Sequence, residues 1–249
     1  MQYGICSLSS ISLRLEPSSL SVLVSQILYG EVFKILEERK QWSKIRLAFD
    51  SCEGWVNNEQ LIHIEKEAYD DLAKAPTILT TDLVEFVEDA SRQLYPITMG
   101  ATLNGLDLLS HSFQGNKITG VQPKTALIST ALLFLNTPYL WGGKTPFGID
   151  CSGFTQMVYK LNGHNLLRNA AMQAGQGEAL SFIEESEPGD LAFFDNSEGE
   201  IIHVGIIMKD HYIIHAHGKV RIDRLDHSGI YNAEKNRHTH KLRVIKKII

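Results

Sequence analysis

The sequence lacks the features of several large protein classes. No apolar stretch in its 249 residues is long enough to span a bilayer, so we expect no membrane insertion. Positive charge is also in short supply, with 24 Lys and Arg against 29 Asp and Glu and a formal net charge of −5. This balance argues against a protein that binds nucleic acid or an anionic membrane surface. The sequence therefore favours an ordinary globular protein.

Cysteine is scarce as well, and the sequence start carries no export signal. The three cysteines, Cys6, Cys52 and Cys151, are odd in number and do not form a disulfide framework. The first residues lack both a basic region and a long apolar region. We therefore expect a cytoplasmic protein if Met1 is the native start, and a periplasmic or wall-associated one if a leader precedes it.

The most informative stretch that is present covers residues 137–160. Turn-forming residues dominate its first half, and apolar residues recur at helical spacing from Phe154 onward. Cys151 stands where the loop becomes a helix. The unpaired N–H groups and the dipole of a helix N-terminus stabilise a thiolate. The pattern therefore predicts Cys151 as the nucleophile of a cysteine hydrolase.

A base for such a nucleophile is found downstream. His203 and His215 each lie in a β-branched run, and a short polar turn around Lys209 and Asp210 joins the two runs. This pattern predicts a β-hairpin in which the two histidines are neighbours, one as the base and the other as its orienting partner. A cysteine on a helix followed by a histidine on a strand is the papain-like order.

The N-terminal residues favour short strands separated by turns. Residues 42–47 alternate, with Ile45 and Leu47 on one face and basic residues on the other. Several such strands with turns between them predict a small β-barrel within residues 1–64.

Five segments between Pro138 and Gly218 resemble the NlpC-type cell-wall peptidases, in the order of that family. They are P-Y-L-W-G-G, G-I-D-C-S-G-F, E-P-G-D-L-A-F-F, H-V-G-I and I-H-A-H-G. The N-terminal order L-R-x-E-P-S, G-E-x-F-x-I-L, W-S-K-I-R and G-W-V resembles a bacterial-type SH3 barrel. The resemblance implies an α+β fold in which a papain-like C-terminal cysteine peptidase domain follows one or two small SH3-like β-barrels.

This resemblance also implies a division of the chain. Residues 1–64 would form the bacterial SH3-like barrel, and residues 123–249 the NlpC-type catalytic domain. Residues 65–122 carry no motif of their own, and their position favours a second, divergent SH3-like domain or a linker region.

The implied activity is hydrolysis of the amide bond between γ-D-glutamate and the diamino acid, diaminopimelate or lysine, of peptidoglycan stem peptides. Cys151 would attack the carbonyl carbon, His203 would act as the base, and His215 would orient it. The expected partner is a peptide derived from peptidoglycan, released in murein recycling or wall turnover. No cofactor and no metal are implied, and a monomer is favoured.

Substrate recognition follows from the same resemblance. Tyr139, Asp150 and Ser152 match the family positions that bind the free ammonium group of an N-terminal L-alanine. A carboxylate and hydroxyl groups would pair with that cation. One departure affects this expectation, because Cys52 stands where members with an SH3-like barrel often carry a tyrosine.

Other interpretations of the same residues stay open. An N-acetylmuramoyl amidase, an acyltransferase of the same fold or a non-catalytic peptidoglycan-binding protein would carry similar motifs. Cys151 and the downstream histidines, His217 included, are also zinc-ligand types, but their spacing matches no compact zinc pattern. Two further histidines, His238 and His240, lie near the charged C-terminal tail, where we expect them to be solvated.

Overall fold

The computed structural model describes residues 2–249, which form two compact units. The first unit runs to Gly120 and includes residues 141–146, and the second comprises residues 121–140 and 147–249. About 15% of the chain is helical and 43% is strand, as expected for an α+β protein. None of the helices within residues 2–249 combines the length and the apolar character that crossing a bilayer requires.

The first unit contains a seven-stranded antiparallel sheet with the strand order β3-β2-β6-β5-β4-β1-β7. Alternating side chains build its core, and Ile45 and Leu47 point inward as predicted. Cys6 is fully buried in the same core, and Cys52 packs against it. The strands of this sheet are β1 (Gln2–Ile5), β2 (Ser10–Arg14), β3 (Leu23–Leu28), β4 (Val32–Glu38), β5 (Trp42–Leu47), β6 (Glu53–Asn57) and β7 (Ile62–Ile64).

The remainder of the first unit consists of one helix and short strands. Helix α1 (Lys66–Lys74) is amphipathic and buries Tyr69. Two small sheets have the orders β10-β9-β11 and β12-β8. Their strands, with the short strand β13, are β8 (Ile78–Thr80), β9 (Val84–Asp89), β10 (Leu94–Thr98), β11 (His111–Phe113), β12 (Lys117–Thr119) and β13 (Lys144–Thr145). That residues 65–122 form a second SH3-like domain stays a prediction.

The second unit packs helices on a ring of antiparallel strands. Its main sheet has the order β15-β21-β16-β17-β18-β19-β20, and β21 also pairs with β20, so the strands from β16 to β21 form a closed ring. Its elements are α2 (Ala126–Leu132), β14 (Gly148–Ile149), α3 (Cys151–Leu161), α4 (Ala170–Ala174), β15 (Glu178–Leu180), β16 (Leu191–Asp195), β17 (Ile201–Ile207), β18 (Tyr212–His217), β19 (Lys219–Asp226), β20 (Gly229–Asn232) and β21 (Arg237–Lys247).

The predicted hairpin is confirmed, since β17 and β18 are antiparallel neighbours. The polar sequence of residues 221–226 predicts an edge strand, which is wrong, because β19 pairs with β18 on one side and with β20 on the other. The alternation of residues 242–249 predicts a terminal strand, but β21 begins earlier, at Arg237, because β20 supplies hydrogen-bonding partners for its first residues.

The spacing between β17 and β18 depends on a glycine. Gly205 lies directly opposite His215 in the register of the two strands. A Cβ atom at Gly205 would lie 2.9 Å from the Cβ of His215 and 2.7 Å from Cδ1 of Ile213. A side chain at this position would therefore push the two strands apart.

We expect Gly205→Ala to lower the free energy of unfolding of the second unit by about 1–3 kcal/mol, the usual cost of overpacking. Urea denaturation followed by far-UV circular dichroism measures this change. Ile202→Ala is the control, because Ile202 lies on the same strand and is 53% exposed. Equal stability of Gly205→Ala and the unmodified protein would contradict the structural role of this glycine.

Candidate active site

Cys151 is the first residue of α3, at the predicted junction of loop and helix. Asp150 caps the helix, and its Oδ1 accepts a hydrogen bond from the N–H of Gly153 at 2.6 Å. This bond satisfies one of the donors that a helix N-terminus leaves unpaired. Helix α3 packs against β17, and all its residues are buried. Cys151 is only 7% exposed, so its thiol lies inside the second unit.

Burial raises the pKa of the Cys151 thiol to about 12, and the charge of Asp150 acts in the same direction. Hydrogen bonds from the backbone N–H groups of Val204 and Ser152 lower this pKa, as does the charge of Arg168, but burial outweighs them. Burial of the helix N-terminus and its carboxylate cap thus oppose the thiolate that the helix N–H groups and dipole favour, and a resting thiolate stays a prediction. The site needs a base that removes the thiol proton.

His203 and His215 meet on one face of the β17–β18 hairpin. Gly205 is opposite His215, and side chains two residues apart in a strand point to the same face, which brings His203 beside His215. Nε2 of His203 lies 2.8 Å from Nδ1 of His215. His203 directly precedes Val204, whose N–H donates to the Cys151 sulfur. The structure thus places His203 and His215 in direct contact, and the backbone that follows His203 contacts the Cys151 sulfur.

Asp223 on β19 extends this pair. Its Oδ2 lies 3.0 Å from Nε2 of His215, and Arg221 donates two hydrogen bonds to the carboxylate, at 2.7 and 3.0 Å. Burial alone would raise the pKa of Asp223, but the hydrogen bonds from His215 and Arg221 lower it to about 2. An ionised Asp223 accepts the Nε2 proton of His215. Nδ1 of His215 is then an acceptor, so His203 donates its Nε2 proton and keeps a lone pair on Nδ1.

The sequence did not identify Asp223 as a site residue, because the polar residues of β19 favour an edge strand remote from His215. The available signal was the alternation of residues 219–226, in which Arg221 and Asp223 share one face with Leu225. Because β19 pairs with β18, this alternation places Arg221 and Asp223 on the face that is next to His215.

Two more histidines surround His203. The His240 ring on β21 stacks on the His203 ring, with centroids 4.1 Å apart and an interplanar angle of 23°. The half-buried His217 ring is nearly perpendicular to the His240 ring, and their centroids are 4.9 Å apart. The expectation that His240 is solvated was wrong, because the pairing of β21 with β16 and β20 draws it into the sheet. His238 is partly exposed, as expected, and lies 2.9 Å from Asp226.

The buried histidine cluster favours neutral rings. Burial lowers the pKa of His203 well below its usual value, and the neighbouring histidines act in the same direction. Burial likewise lowers the pKa of His215 and His217, and it lowers the pKa of His240 to about 3. Burial therefore favours an uncharged thiol and uncharged imidazole rings in this site.

The predicted substrate residues surround the same thiol. Arg168 forms a buried ion pair with Asp150, with Nη2 2.7 Å from Oδ2 and Nη1 3.0 Å from Oδ1. Ser152 lies within hydrogen-bonding distance of both partners, at 3.3 Å from Asp150 Oδ1 and 3.2 Å from Arg168 Nη1. Tyr139 is half-buried, and burial followed by the charges of Cys151 and Asp150 raises the pKa of its hydroxyl to about 12. Asp150 therefore presents its carboxylate together with a guanidinium.

This arrangement suits nucleophilic attack on a carbonyl carbon. A thiol at a helix start and an oriented imidazole base are the parts that acyl transfer through a cysteine requires. The side chains that are chemically able to bind a metal ion include His203, His215 and His240, whose ligand atoms all lie within 4.8 Å of one another.

Comparison with known proteins agrees with this geometry. The model of the NlpC/P60 family matches residues 136–239, and that of the bacterial dipeptidyl-peptidase Sh3 domain matches residues 13–61. The chain is 30% identical to the gamma-D-glutamyl-L-lysine dipeptidyl-peptidase of Bacillus subtilis over 79% of its own length and 73% of that protein. It is 28% identical to dipeptidyl-peptidase 6 of Lysinibacillus sphaericus over 85% and 87% of the two chains.

Solved structures show the same fold. An NlpC/P60 family protein from Bacillus cereus superposes with a TM-score of 0.79 at 19% identity, covering 99% of both chains. An NlpC/P60 endopeptidase from Photobacterium damselae superposes with a TM-score of 0.72 at 15% identity, covering 97% of this chain and 70% of that one. These findings confirm the predicted fold class and the predicted SH3-like domain. The chain therefore belongs to the NlpC/P60 family of cysteine peptidases.

Proposed function

We propose that this protein is a peptidoglycan endopeptidase that cuts the amide bond between γ-D-glutamate and a diamino acid in stem peptides with a free N-terminal L-alanine. The observation that carries the proposal is the continuous set of hydrogen bonds from Asp223 through His215 to His203, together with the bond from the N–H of Val204, the residue after His203, to the Cys151 sulfur. The Bacillus subtilis relative is a gamma-D-glutamyl-L-lysine dipeptidyl-peptidase, which supports the choice of bond.

The proposed first step joins proton transfer to carbon–sulfur bond formation. Nδ1 of His203 accepts the thiol proton while the Cys151 sulfur attacks the carbonyl carbon, because a separate thiolate and imidazolium are both disfavoured by burial. The backbone N–H of Cys151 has no acceptor within its own helix and stabilises the developing oxyanion. His203 then passes its proton to the departing amine of the diamino acid.

The second step releases the product. The L-alanyl-γ-D-glutamyl group is now a thioester of Cys151, and His203 takes a proton from the attacking water. Collapse of the tetrahedral intermediate breaks the carbon–sulfur bond, and His203 returns the proton to the sulfur. His215 and Asp223 keep the same ring orientation in both steps, since neither needs to change partner.

The buried Asp150–Arg168 pair supports the choice of substrate end. An L-alanyl-γ-D-glutamyl group carries an ammonium group and a free carboxylate within a few bonds of the scissile amide. Asp150, with the hydroxyl groups of Tyr139 and Ser152, suits the ammonium group, and Arg168 suits the carboxylate. A single unpaired charge at this position would suit only one of the two substrate groups.

Mass spectrometry of a peptide digest tests the proposed activity. We expect the unmodified protein to split L-Ala-γ-D-Glu-diaminopimelate or its lysine counterpart into L-Ala-D-Glu and the diamino acid, and we expect Cys151→Ala to be inactive. We expect the same peptides with an acetylated N-terminus to stay intact. Equal cleavage of acetylated peptides would refute the free-amine requirement. Failure to cut either form would refute the γ-D-glutamyl assignment and would favour an amidase or a binding protein.

Asp223→Asn tests the orienting role of the carboxylate. We expect kcat to fall by about 10- to 100-fold with little change in KM, because Asp223 sets the tautomer of His215 at a distance from the substrate. Steady-state kinetics on the free peptide measures both constants. Asp226→Asn is the matched control, since Asp226 lies on the same strand and pairs with the partly exposed His238. Equal kinetics for the two variants would contradict the role of Asp223.

Alkylation kinetics test the protonation state of the nucleophile. We expect the rate of Cys151 modification by iodoacetamide to rise about tenfold per pH unit from pH 6 to 9, because a thiol with a raised pKa gains thiolate over this whole range. Peptide mapping by mass spectrometry assigns the modification, and Cys151→Ala measures the background from Cys6 and Cys52. A rate that reaches a plateau below pH 8 would show a resting thiolate instead.

A further inference from the structure

Three imidazole rings from three strands converge beside the nucleophile. His203 on β17, His215 on β18 and His240 on β21 place one ring nitrogen each within 4.8 Å of one another. The first two rings are buried and the third is half-buried. The proposed reaction uses His203 and His215 but gives no task to His240.

The three nitrogens are near enough to surround one tetrahedral metal ion once the rings move. Zinc binds imidazole nitrogen at 2.0–2.1 Å, so two nitrogens on one ion lie about 3.3 Å apart. Nε2 of His203 and Nδ1 of His215 are 2.8 Å apart across their hydrogen bond. A separation of these two rings and a rotation of the His240 ring out of its stack on His203 would place all three nitrogens around one ion.

The surroundings also match those of a histidine metal ligand. Asp223 accepts a hydrogen bond from Nε2 of His215 and thereby leaves Nδ1 as a lone-pair donor toward the cluster. A carboxylate that accepts from the far nitrogen of a ligating histidine is the usual second layer around zinc. An all-imidazole donor set selects zinc or a similar transition metal over magnesium and calcium, which prefer oxygen.

We propose that a zinc-class divalent ion binds His203, His215 and His240 and reversibly inhibits the enzyme. This inference rests on the proposed function, since it takes His203 as the base. The ion would bind the lone pair of His203 Nε2, and the proton of that nitrogen would move to Nδ1 of the same ring. Nδ1 would then be a donor and could not accept the thiol proton of Cys151. The ring stays neutral, so no proton is gained or lost.

His217 lies beside the proposed metal site but is not one of its ligands. The centroid of its ring is 4.9 Å from that of His240 and 6.4 Å from that of His215. This position is beyond the three-nitrogen set, and the fourth coordination position of the ion is therefore assigned to water.

Direct metal binding to the untagged, metal-free Cys151→Ala chain tests the proposal without any need for activity. Isothermal titration with Zn²⁺ should show one ion per chain. His240→Phe added to this variant keeps an aromatic ring but removes the ligand nitrogen, and it should weaken binding at least tenfold. His238→Phe is the matched control on the same strand and should leave the affinity unchanged. Absence of binding, or equal binding by the His240→Phe and His238→Phe variants, would overturn the proposal.

Inhibition of the catalytically intact chain is the second readout. We expect Zn²⁺ to stop peptide cleavage, EDTA to restore it, and His240→Phe to need at least tenfold more Zn²⁺ for half-inhibition, relative to its own metal-free rate. If Zn²⁺ inhibits but the Cys151→Ala chain does not bind it, the ion sits on the cysteine sulfur and the proposal is wrong. If the Cys151→Ala chain binds Zn²⁺ while no peptide is cut, the metal site stands and the proposed function fails.

Discussion

The ionised carboxylate of Asp223 sets the direction of the hydrogen bonds at the candidate active site. Because hydrogen bonds from His215 and Arg221 keep the pKa of this buried carboxyl low, Asp223 only accepts, and His215 donates from Nε2. The 2.8 Å contact between the two imidazoles then passes the same direction on to His203, whose Nδ1 becomes the acceptor. The proposed catalytic role of His203 thus depends on the negative charge of Asp223, which acts through His215.

Burial gives this site its chemical character. The second unit encloses the thiol and the imidazole rings, and burial favours the uncharged form of each. In the proposed mechanism a neutral thiol and a neutral imidazole react only when a bound carbonyl allows proton transfer and attack together. Each neutral ring also keeps one lone pair, which is the requirement for binding a transition metal. Catalysis and the proposed inhibition therefore draw on one property of the cluster.

The part of the site that the sequence predicted depends on local patterns. Cys151 stands at a loop-to-helix junction, and His203 and His215 stand in two β-branched runs joined by a short turn, so neighbouring residues alone indicate their placement. Asp223 and His240 depend instead on which strands pair. The sequence of β19 resembles that of an edge strand. No local pattern in the sequence of β21 indicates that it pairs with β20 and closes the ring of strands. The pKa of Cys151 is raised because the whole of helix α3 is buried, and the sequence motif around Cys151 does not indicate this burial.

The direction of the hydrogen bonds from Asp223 to His203 is tested most directly by determining the tautomers of His203 and His215. Nitrogen NMR on the ¹⁵N-histidine-labelled, metal-free protein at neutral pH distinguishes a protonated Nδ1 from a protonated Nε2. We predict that His203 and His215 are both neutral and both carry their proton on Nε2. A proton on Nδ1 of His203 would contradict it, because that ring would then have no lone pair for the proton of Cys151.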